Sequence, residues 1–371
     1  MDYDVIISGG SFAGLAAAAQ LRGKRVLLVE PNPIGKVQTS ACGTLLDVLE
    51  VTGTMDSLLQ IHNHFVFHAP QRSYEMSLPY DFCTFDYEIF CQRLLAQSEV
   101  EILRASVKGH QGHLVLTTRG DFEACALIDA TGWRAALATN GQQRAQAYKG
   151  RSFGIETTVP VQRAGLHFWY QPERLLTKGI AWLFPTGSTS RAGIGSYLGK
   201  TRLKDDLVNW LHVDFAQSLD GVHGGYFPYS RRPATTGVVF RVGDSAGQCL
   251  PLTGEGIRPA LYFGAKAGQL ARAVIDGEMR ESEALASYHS YVNSHALIYR
   301  FLFFAQMSLT NVPAAWVENL SSQIQRRNVF RFLMRHYRSV MEPSLLSGTN
   351  VNGRAYLPVN LARADLYARK R

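Results

Sequence analysis

The chain has 371 residues, 46% of them hydrophobic, with 33 glycines and 14 prolines. That composition suits a folded α/β protein of two domains, or of one large domain with an inserted lobe, and excludes general disorder. Five scattered cysteines, Cys42, Cys83, Cys91, Cys125 and Cys249, contain no C-x-x-C pair, which argues against a disulfide framework and a zinc site and for a reducing compartment. A formal net charge of +8 fits an anionic partner, although charge alone does not choose among a diphosphate, a lipid surface and nucleic acid.

Asp2 and Asp4 lead straight into a strand, and no apolar run reaches the ~18 residues of a spanning helix. The expectation is a cytoplasmic protein without a secretory leader, peripheral at a membrane at most. The first thirty residues then organise the rest. Val5, Ile6 and Ile7 are an apolar β-branched run, Gly9-Gly10-Ser11-Phe12-Ala13-Gly14 a tight turn, Leu15 to Leu21 an alanine-rich helix, and Arg25 to Glu30 a second buried strand. Strand, glycine turn, helix and strand make a βαβ unit that holds a dinucleotide. Gly9 permits the sharp turn, Gly14 lets the helix pack close to the sheet, and the helix N-terminus offers N–H groups to a pyrophosphate. Ser11 stands at the middle glycine of the usual pattern and is small enough for close backbone approach. Glu30 is placed to accept hydrogen bonds from a ribose diol, and its charge would repel the 2′-phosphate of NADP.

Pro31 to Gly43 is irregular and carries Lys36 and Ser40-Ala41-Cys42-Gly43, placed to reach the ring end of a flavin. Thr44 to Leu59 reads as helix interrupted at Gly53, and Phe65 to Leu78 alternates as strands. Asp86 to Gln97 reads as a helix with Phe90, Leu94 and Leu95 on one face. Val100 to Ala105, Leu114 to Thr118 and Ala124 to Ile128 suggest a small antiparallel sheet, or strands approaching one, ending in Asp129-Ala130-Thr131-Gly132. Arg151 to Val159, Leu166 to Tyr170, Ile180 to Phe184 and Ala192 to Tyr197 give a second lobe built of sheet. Val238 to Val242 is another buried strand with Gly243-Asp244 at its carboxyl end, Leu261 to Ile275 is a long helix, and the chain beyond about residue 280 reads as helical. His62, His64 and His68 alternate without a carboxylate or cysteine nearby, so no metal is expected.

Gly243-Asp244-Ser245-Ala246-Gly247 repeats the device of a carboxylate at a strand end followed by small residues. Two such devices in one chain imply a long two-phosphate ligand with a polyol in the middle, and FAD fits better than NAD. In Pro251 to Ile257, Gly254 and Gly256 free backbone N–H groups, and the following helix N-terminus favours negative charge on a reduced flavin.

On these residues the chain resembles the geranylgeranyl reductase family of FAD-dependent oxidoreductases, within the p-hydroxybenzoate hydroxylase-like flavoprotein class. Four stretches carry the resemblance: Gly9 to Gly14 with Glu30; Cys42-Gly43; Trp182-Leu183-Phe184-Pro185 followed by Gly193-Ile194-Gly195; and Gly243 to Gly247 continuing into Pro251-Leu252-Thr253-Gly254-Glu255-Gly256-Ile257. The resemblance implies FAD held by Gly9, Gly10, Ser11, Phe12, Ala13, Gly14, Glu30, Cys42, Gly43, Gly132, Gly243, Asp244, Pro251, Gly254, Gly256 and Ile257. It also implies hydride transfer to a double bond of an isoprenoid or lipid lying on Trp182, Phe184 and Pro185, with Cys42 and the Gly254-Glu255-Gly256 turn as catalytic candidates. Ile180 departs from the aromatic of the family signature, and Tyr87 stands where an arginine near FAD is frequent, which leaves Arg93 as the candidate for that contact.

The expected fold class is α/β: a Rossmann-type FAD-binding domain at 1–62, 84–150 and 232–278, an inserted sheet-rich substrate lobe at 63–83 and 151–231, and a helical C-terminal region at 279–371. The electron donor is NAD(P)H or reduced ferredoxin, a donor protein in the latter case, and nucleic acid is not an expected partner. Ile324, Phe330, Leu333, Met334, Tyr337 and Met341 recur at helical spacing beside Arg327, Arg331, Arg335 and Arg338. Residues 321–341 are therefore either a basic amphipathic helix on an anionic membrane or, the preferred reading, a helix packed on the domain with a solvated arginine face. A monooxygenase or halogenase acting on an aromatic, and a non-redox flavoprotein such as a cyclase, remain alternatives.

Overall fold

The computed structural model describes residues 1–141, 150–171, 175 and 178–341; the portions of the expected segments at 142–149, 172–174, 176–177 and 342–371 lie outside the described residues. The βαβ unit is present as β1 (Tyr3–Ser8), α1 (Phe12–Ala19) and β2 (Val26–Val29), with β1 and β2 parallel and Val5 opposite Val26. Helix α1 starts three residues earlier than expected because Gly14 serves inside it: a Cβ there would lie 1.9 Å from the Gly9 carbonyl oxygen.

Residues 44–59 differ from the expected helix. β3 (Gly43–Leu45) and the short α2 (Leu46–Val51) come first, and after a turn the chain enters β4 (Leu58–His68), which pairs with β5 (Ser73–Phe85). Leu58 lies opposite Phe85 and Ile61 opposite Cys83, so strand pairing outweighs the local helical spacing. Helix α3 (Tyr87–Leu95) is capped by the Asp86 carboxylate, which accepts the Ile89 N–H at 2.8 Å, and it buries Phe90 and Leu94 while Leu95 stays partly buried.

β6 (Val100–Leu103) joins the parallel sheet beside β2 and takes no part in an antiparallel one. The meander consists of β7 (Val107–Gln111), a polar strand without an apolar signal, β8 (Leu114–Thr117) and β9 (Gly120–Asp129), whose far half runs parallel to β1. The four strands of the second lobe follow as β10 (Arg151–Val159), β11 (Leu166–Trp169), β12 (Gly179–Pro185) and β13 (Ser190–Ser196). Helix α4 (Lys204–Phe215) and β14 (His223–Pro228) also lie here, where the sequence suggested strand alone. Leu207, Trp210 and Leu211 recur at helical spacing and cover one face of the lobe's sheet, against Ala181, Leu183 and Ile194.

β15 (Thr235–Thr236) and β16 (Val239–Arg241) complete the first sheet, ordered β15-β16-β9-β1-β2-β6; the second is ordered β14-β10-β13-β12-β11-β4-β5-β3. The chain then forms α5 (Ile257–Ile275), α6 (Glu281–Ser294), α7 (Ala296–Leu309), α8 (Ala314–Ile324) and α9 (Arg327–Val340), helical as expected as far as it is described. The fold is α/β, with a Rossmann-type parallel sheet, a second sheet-rich lobe and C-terminal helices. Among the described residues no helix is long and apolar enough to cross a membrane.

Helix α9 packs on the second sheet through its apolar stripe. Phe330 meets Phe65 at 6.2 Å between ring centroids, Tyr337 stacks on Phe82 at 6.1 Å, and Arg338 leaves the basic stripe to pair with Asp47 at 2.6 Å. Of the six apolar stripe residues only Leu333 is exposed.

Candidate functional site

In a parallel sheet the loops at the carboxyl ends of the strands form the ligand crevice. Here Val29, Ser8, Asp129 and Arg241 lie in register across β2, β1, β9 and β16, so Glu30, Gly9, Ala130 and the Gly243-Asp244 turn all emerge at one edge. The first and fourth motifs meet directly: a Cβ on Gly243 would stand 3.2 Å from the Ala13 Cβ. At Gly9 the backbone has φ +106°, and a Cβ would lie 2.2 Å from the Ala130 carbonyl oxygen, so this turn admits glycine alone.

Glu30 pins the glycine turn. Its carboxylate accepts the Gly10 N–H at 2.9 Å and the Asn32 N–H at 3.0 Å. The Ser11 hydroxyl hydrogen-bonds the Tyr87 hydroxyl at 2.8 Å, Tyr87 lies 3.3 Å from the Thr39 hydroxyl, and Phe12 packs edge-on against the Tyr87 ring at 5.3 Å. Arg93 instead pairs with Asp56 at 2.6 Å, so the residue of α3 that reaches the glycine turn is Tyr87. Gly132 has φ +69° in a turn ordered by the buried Asp129, whose carboxylate accepts the N–H groups of Thr131 and Ala138 at 2.9 and 2.8 Å.

Asp244 follows Gly243 at the same edge. Burial pushes its carboxyl up to about 6, with Arg232 pulling the other way. Next along the chain, Leu252 and Gly254 both have positive φ, Gly254 N–H donates to the Leu250 carbonyl, and the Leu252 N–H donates to the Gln306 side chain at 2.7 Å. Pro251 enters this turn, Gly256 caps α5 and Ile257 begins it. Glu255 is committed elsewhere: its carboxylate forms a buried pair with Arg258, which donates at 2.7 Å to Glu255 Oε2 and at 3.0 to 3.2 Å to the carbonyls of Tyr337, Arg338 and Met341. The carboxylate named from the sequence as a catalytic candidate is thus part of a clamp on the end of α9.

Cys42 has φ +55°, is fully buried, and donates its S–H to the Ser40 carbonyl at 3.2 Å. Burial pushes the thiol well above its usual range, with Arg191 opposing. Arg191 also ties this loop to the second lobe by donating to the carbonyls of Ala41 at 3.1 Å and Phe85 at 3.0 Å. On β12 the burial alternates: Ala181 and Leu183 face the α4 side, while Ile180, Trp182 and Phe184 stay half-buried on the other face. Phe184 stands against Gly43 and packs on Phe168 at 5.4 Å, and buried Pro185 accepts the Thr84 hydroxyl at 2.6 Å. Arg191, Tyr87 and Glu156, which accepts the Trp182 indole N–H at 2.6 Å, were not singled out as binding residues from the sequence; only the strand register and the loop contacts expose them.

The residues present fit a flavin dinucleotide. The hydroxyls of Ser8, Thr44 and Ser245 are buried without a hydrogen-bond partner among the described residues, and each is next in sequence to a motif residue, Gly9, Gly43 and Asp244. The histidines alternating in β4 have protein partners: His62 bonds Thr84 at 3.2 Å and His68 bonds His167 at 3.0 Å.

No family model matches the chain. The digeranylgeranylglycerophospholipid reductase of Methanococcus vannielii is 32% identical over 126 residues, 30% of this chain, which therefore spans 31% of that relative's length. The protein of the same name from Methanoculleus marisnigri is 27% identical over 334 residues, 77% of this chain and 81% of its own. Among solved structures, a geranylgeranyl bacteriochlorophyll reductase-like protein from Thermoplasma acidophilum matches with TM-score 0.78 at 17% identity, over 93% of this chain and 97% of its own. A flavin-dependent brominase matches with TM-score 0.69 at 15% identity, over 100% of both chains. At such identities the two structures establish a shared fold. Sequence and fold together agree with the four motifs: the chain is similar to digeranylgeranylglycerophospholipid reductases and shares the fold of a geranylgeranyl bacteriochlorophyll reductase-like protein and of a flavin-dependent brominase.

Proposed function

We propose that the protein is an FAD-dependent oxidoreductase that hydrogenates C=C bonds of an isoprenoid chain. The observation that carries this reading is the contact between the Cys42-Gly43 loop and the half-buried aromatic face of the second sheet, through Gly43 and Phe184. FAD, when bound and reduced, supplies hydride chemistry. The chain supplies the rest. Gly9 to Gly14 and the N-terminus of α1 hold the pyrophosphate, Glu30 the ribose, and Asp244 the polyol. The N–H groups of the Pro251 to Glu255 turn are taken up within the protein, that of Gly254 by Leu250, so it is the N-terminus of α5, capped by Gly256, that favours negative charge on the flavin. Cys42, whose thiol burial keeps protonated, holds a proton for the second carbon of the double bond. Trp182 and Phe184 form an apolar wall that carries the chain and excludes water, while Pro185, expected from the sequence to share it, follows Leu183 onto the opposite, buried face of the strand.

Reducing equivalents come from NAD(P)H or reduced ferredoxin. A lipid-borne substrate is consistent with the outward side of α9, where Val329, Phe332 and Leu333 are exposed beside Arg327, Arg331 and Arg335. That surface suits peripheral contact with anionic lipid, and sedimentation with anionic against neutral vesicles tests it. The likeness to a brominase supports a second reading, a monooxygenase or halogenase acting on an aromatic. An oxygen electrode separates the two. Prenyl-dependent turnover without oxygen uptake supports the reductase; oxygen uptake that requires an aromatic supports the second reading.

A further inference from the structure

One row of directly paired residues crosses the second sheet: Phe67 on β4, Phe168 on β11, Trp182 on β12, Gly193 on β13, Glu156 on β10 and His223 on β14. Paired residues project from the same face, so three aromatic rings, a gap and two polar groups follow one another along one line. Trp182 and Glu156 are two strands apart, roughly 9–10 Å, too far for contact across an ordinary side chain. Gly193 opens the way. A Cβ there would lie 2.3 Å from Trp182 Cζ2, so the indole lies over the glycine backbone, flanked by Gly154 and Gly195.

At the end of that reach the indole N–H donates to Glu156 Oε2 at 2.6 Å. The other carboxylate oxygen accepts from Gln38 Nε2 at 3.4 Å and lies 3.3 Å from His223 Nε2. The Glu156 side chain is 4% exposed. A buried carboxylate in an aromatic wall is costly unless its hydrogen bonds are made, and here one of them fixes the plane of the ring beside it. Gln38 belongs to the Pro31 to Gly43 loop, four residues before Cys42, so the same carboxylate ties the wall to the loop at the flavin end.

We propose that Glu156 is a positioning residue: it holds the Trp182 indole flat on the Gly154, Gly193 and Gly195 floor and so sets where an apolar chain lies along the wall. The part concerning the chain rests on the prenyl-reductase reading; the part concerning the indole does not.

The test reads the five indole N–H resonances of the ¹⁵N-labelled protein, with the Trp182 signal assigned from Trp182→Phe. In the wild type this signal lies downfield of the others. Glu156→Ala returns it to the range of unbonded indoles, and Glu156→Gln, which keeps an acceptor, retains part of the shift. With geranylgeranyl diphosphate as substrate, Glu156→Ala raises KM roughly tenfold with kcat within about threefold, the pattern of lost substrate binding without lost chemistry, and Glu156→Gln recovers most of it. Gly193→Ala, which displaces the ring without touching the carboxylate, gives the same rise. An indole resonance unmoved in Glu156→Ala overturns the proposal, as does a KM equal to the wild type in both Glu156→Ala and Gly193→Ala. A wild-type protein that reduces no prenyl substrate overturns the functional reading instead, and the resonance still decides the placement of the ring.

Discussion

Gly43 lies against the ring of Phe184: a Cβ on Gly43 would stand 2.9 Å from Phe184 Cε2. The loop at the flavin end and the wall of the second lobe are therefore one packed unit. Gly43→Ala must shift the ring or the loop, at a cost of about 1–3 kcal/mol. Chemical denaturation of the apoprotein reads that loss, and the KM for a prenyl substrate rises with it. Unchanged stability and KM would show that the contact is slack.

Cys42 yields a prediction in pH and one in rate. Its pKa is raised in the folded state by burial, so the thiol stays protonated through neutral pH and is a poor nucleophile; the role of proton donor is the one proposed for it above. The stability this proton contributes is fully present below the unfolded-state value of about 8.5 and is lost as pH rises above it. In the native protein at pH 8, iodoacetamide should label the partly exposed Cys125 well before Cys42. Cys42→Ala should bind FAD as the wild type does and lose about 10²-fold or more in turnover, the scale of a general acid. Wild-type turnover in that variant assigns Cys42 a shape role only.

Asp244 titrates in the opposite range. Its folded-state value of about 6 lies above the ordinary 3.8, because burial disfavours the charge. The stability it contributes is present below pH 3.8 and is lost as pH rises through about 6, so the apoprotein weakens across that window. Asp244→Asn should remove this part of the slope and melt higher than the wild-type apoprotein above pH 6, while binding FAD less tightly. Parallel melting curves for the two proteins from pH 4 to 7 would contradict the burial of this carboxyl.

Glu255 and Arg258 hold the end of α9 through a buried pair. Removing one partner leaves an uncompensated charge, so Arg258→Met should cost about 3–5 kcal/mol. Glu255→Met combined with Arg258→Met should recover much of that loss, and urea unfolding of the single and double variants measures both. Equal stability of all three proteins would deny the clamp.

The sequence made the nucleotide unit legible because each element carries its own local signature: the β-branched run at Val5 to Ile7, the Gly9 to Gly14 turn, and the carboxylate at the end of β2. Strand β10 was read to the residue for the same reason. What escaped depends on partners distant in sequence. Residues 44–59 form strand and short helix because β4 pairs with β5, and β7 forms because β8 lies beside it, with no apolar period of its own. Glu156 reads as an ordinary charge in a strand until the register sets it beside Gly193 and Trp182. Arg93 was the natural cation for the cofactor on spacing alone, yet Asp56 engages it and Tyr87 reaches Ser11.

The most direct measurement is anaerobic. The purified protein is loaded with FAD, reduced with dithionite, and mixed with geranylgeranyl diphosphate or its glycerophospholipid ether while flavin absorbance and product mass are followed. The account predicts reoxidation of the flavin matched by products heavier by pairs of hydrogen atoms. A flavin that stays reduced until oxygen is admitted, with the prenyl chain unchanged, would contradict it.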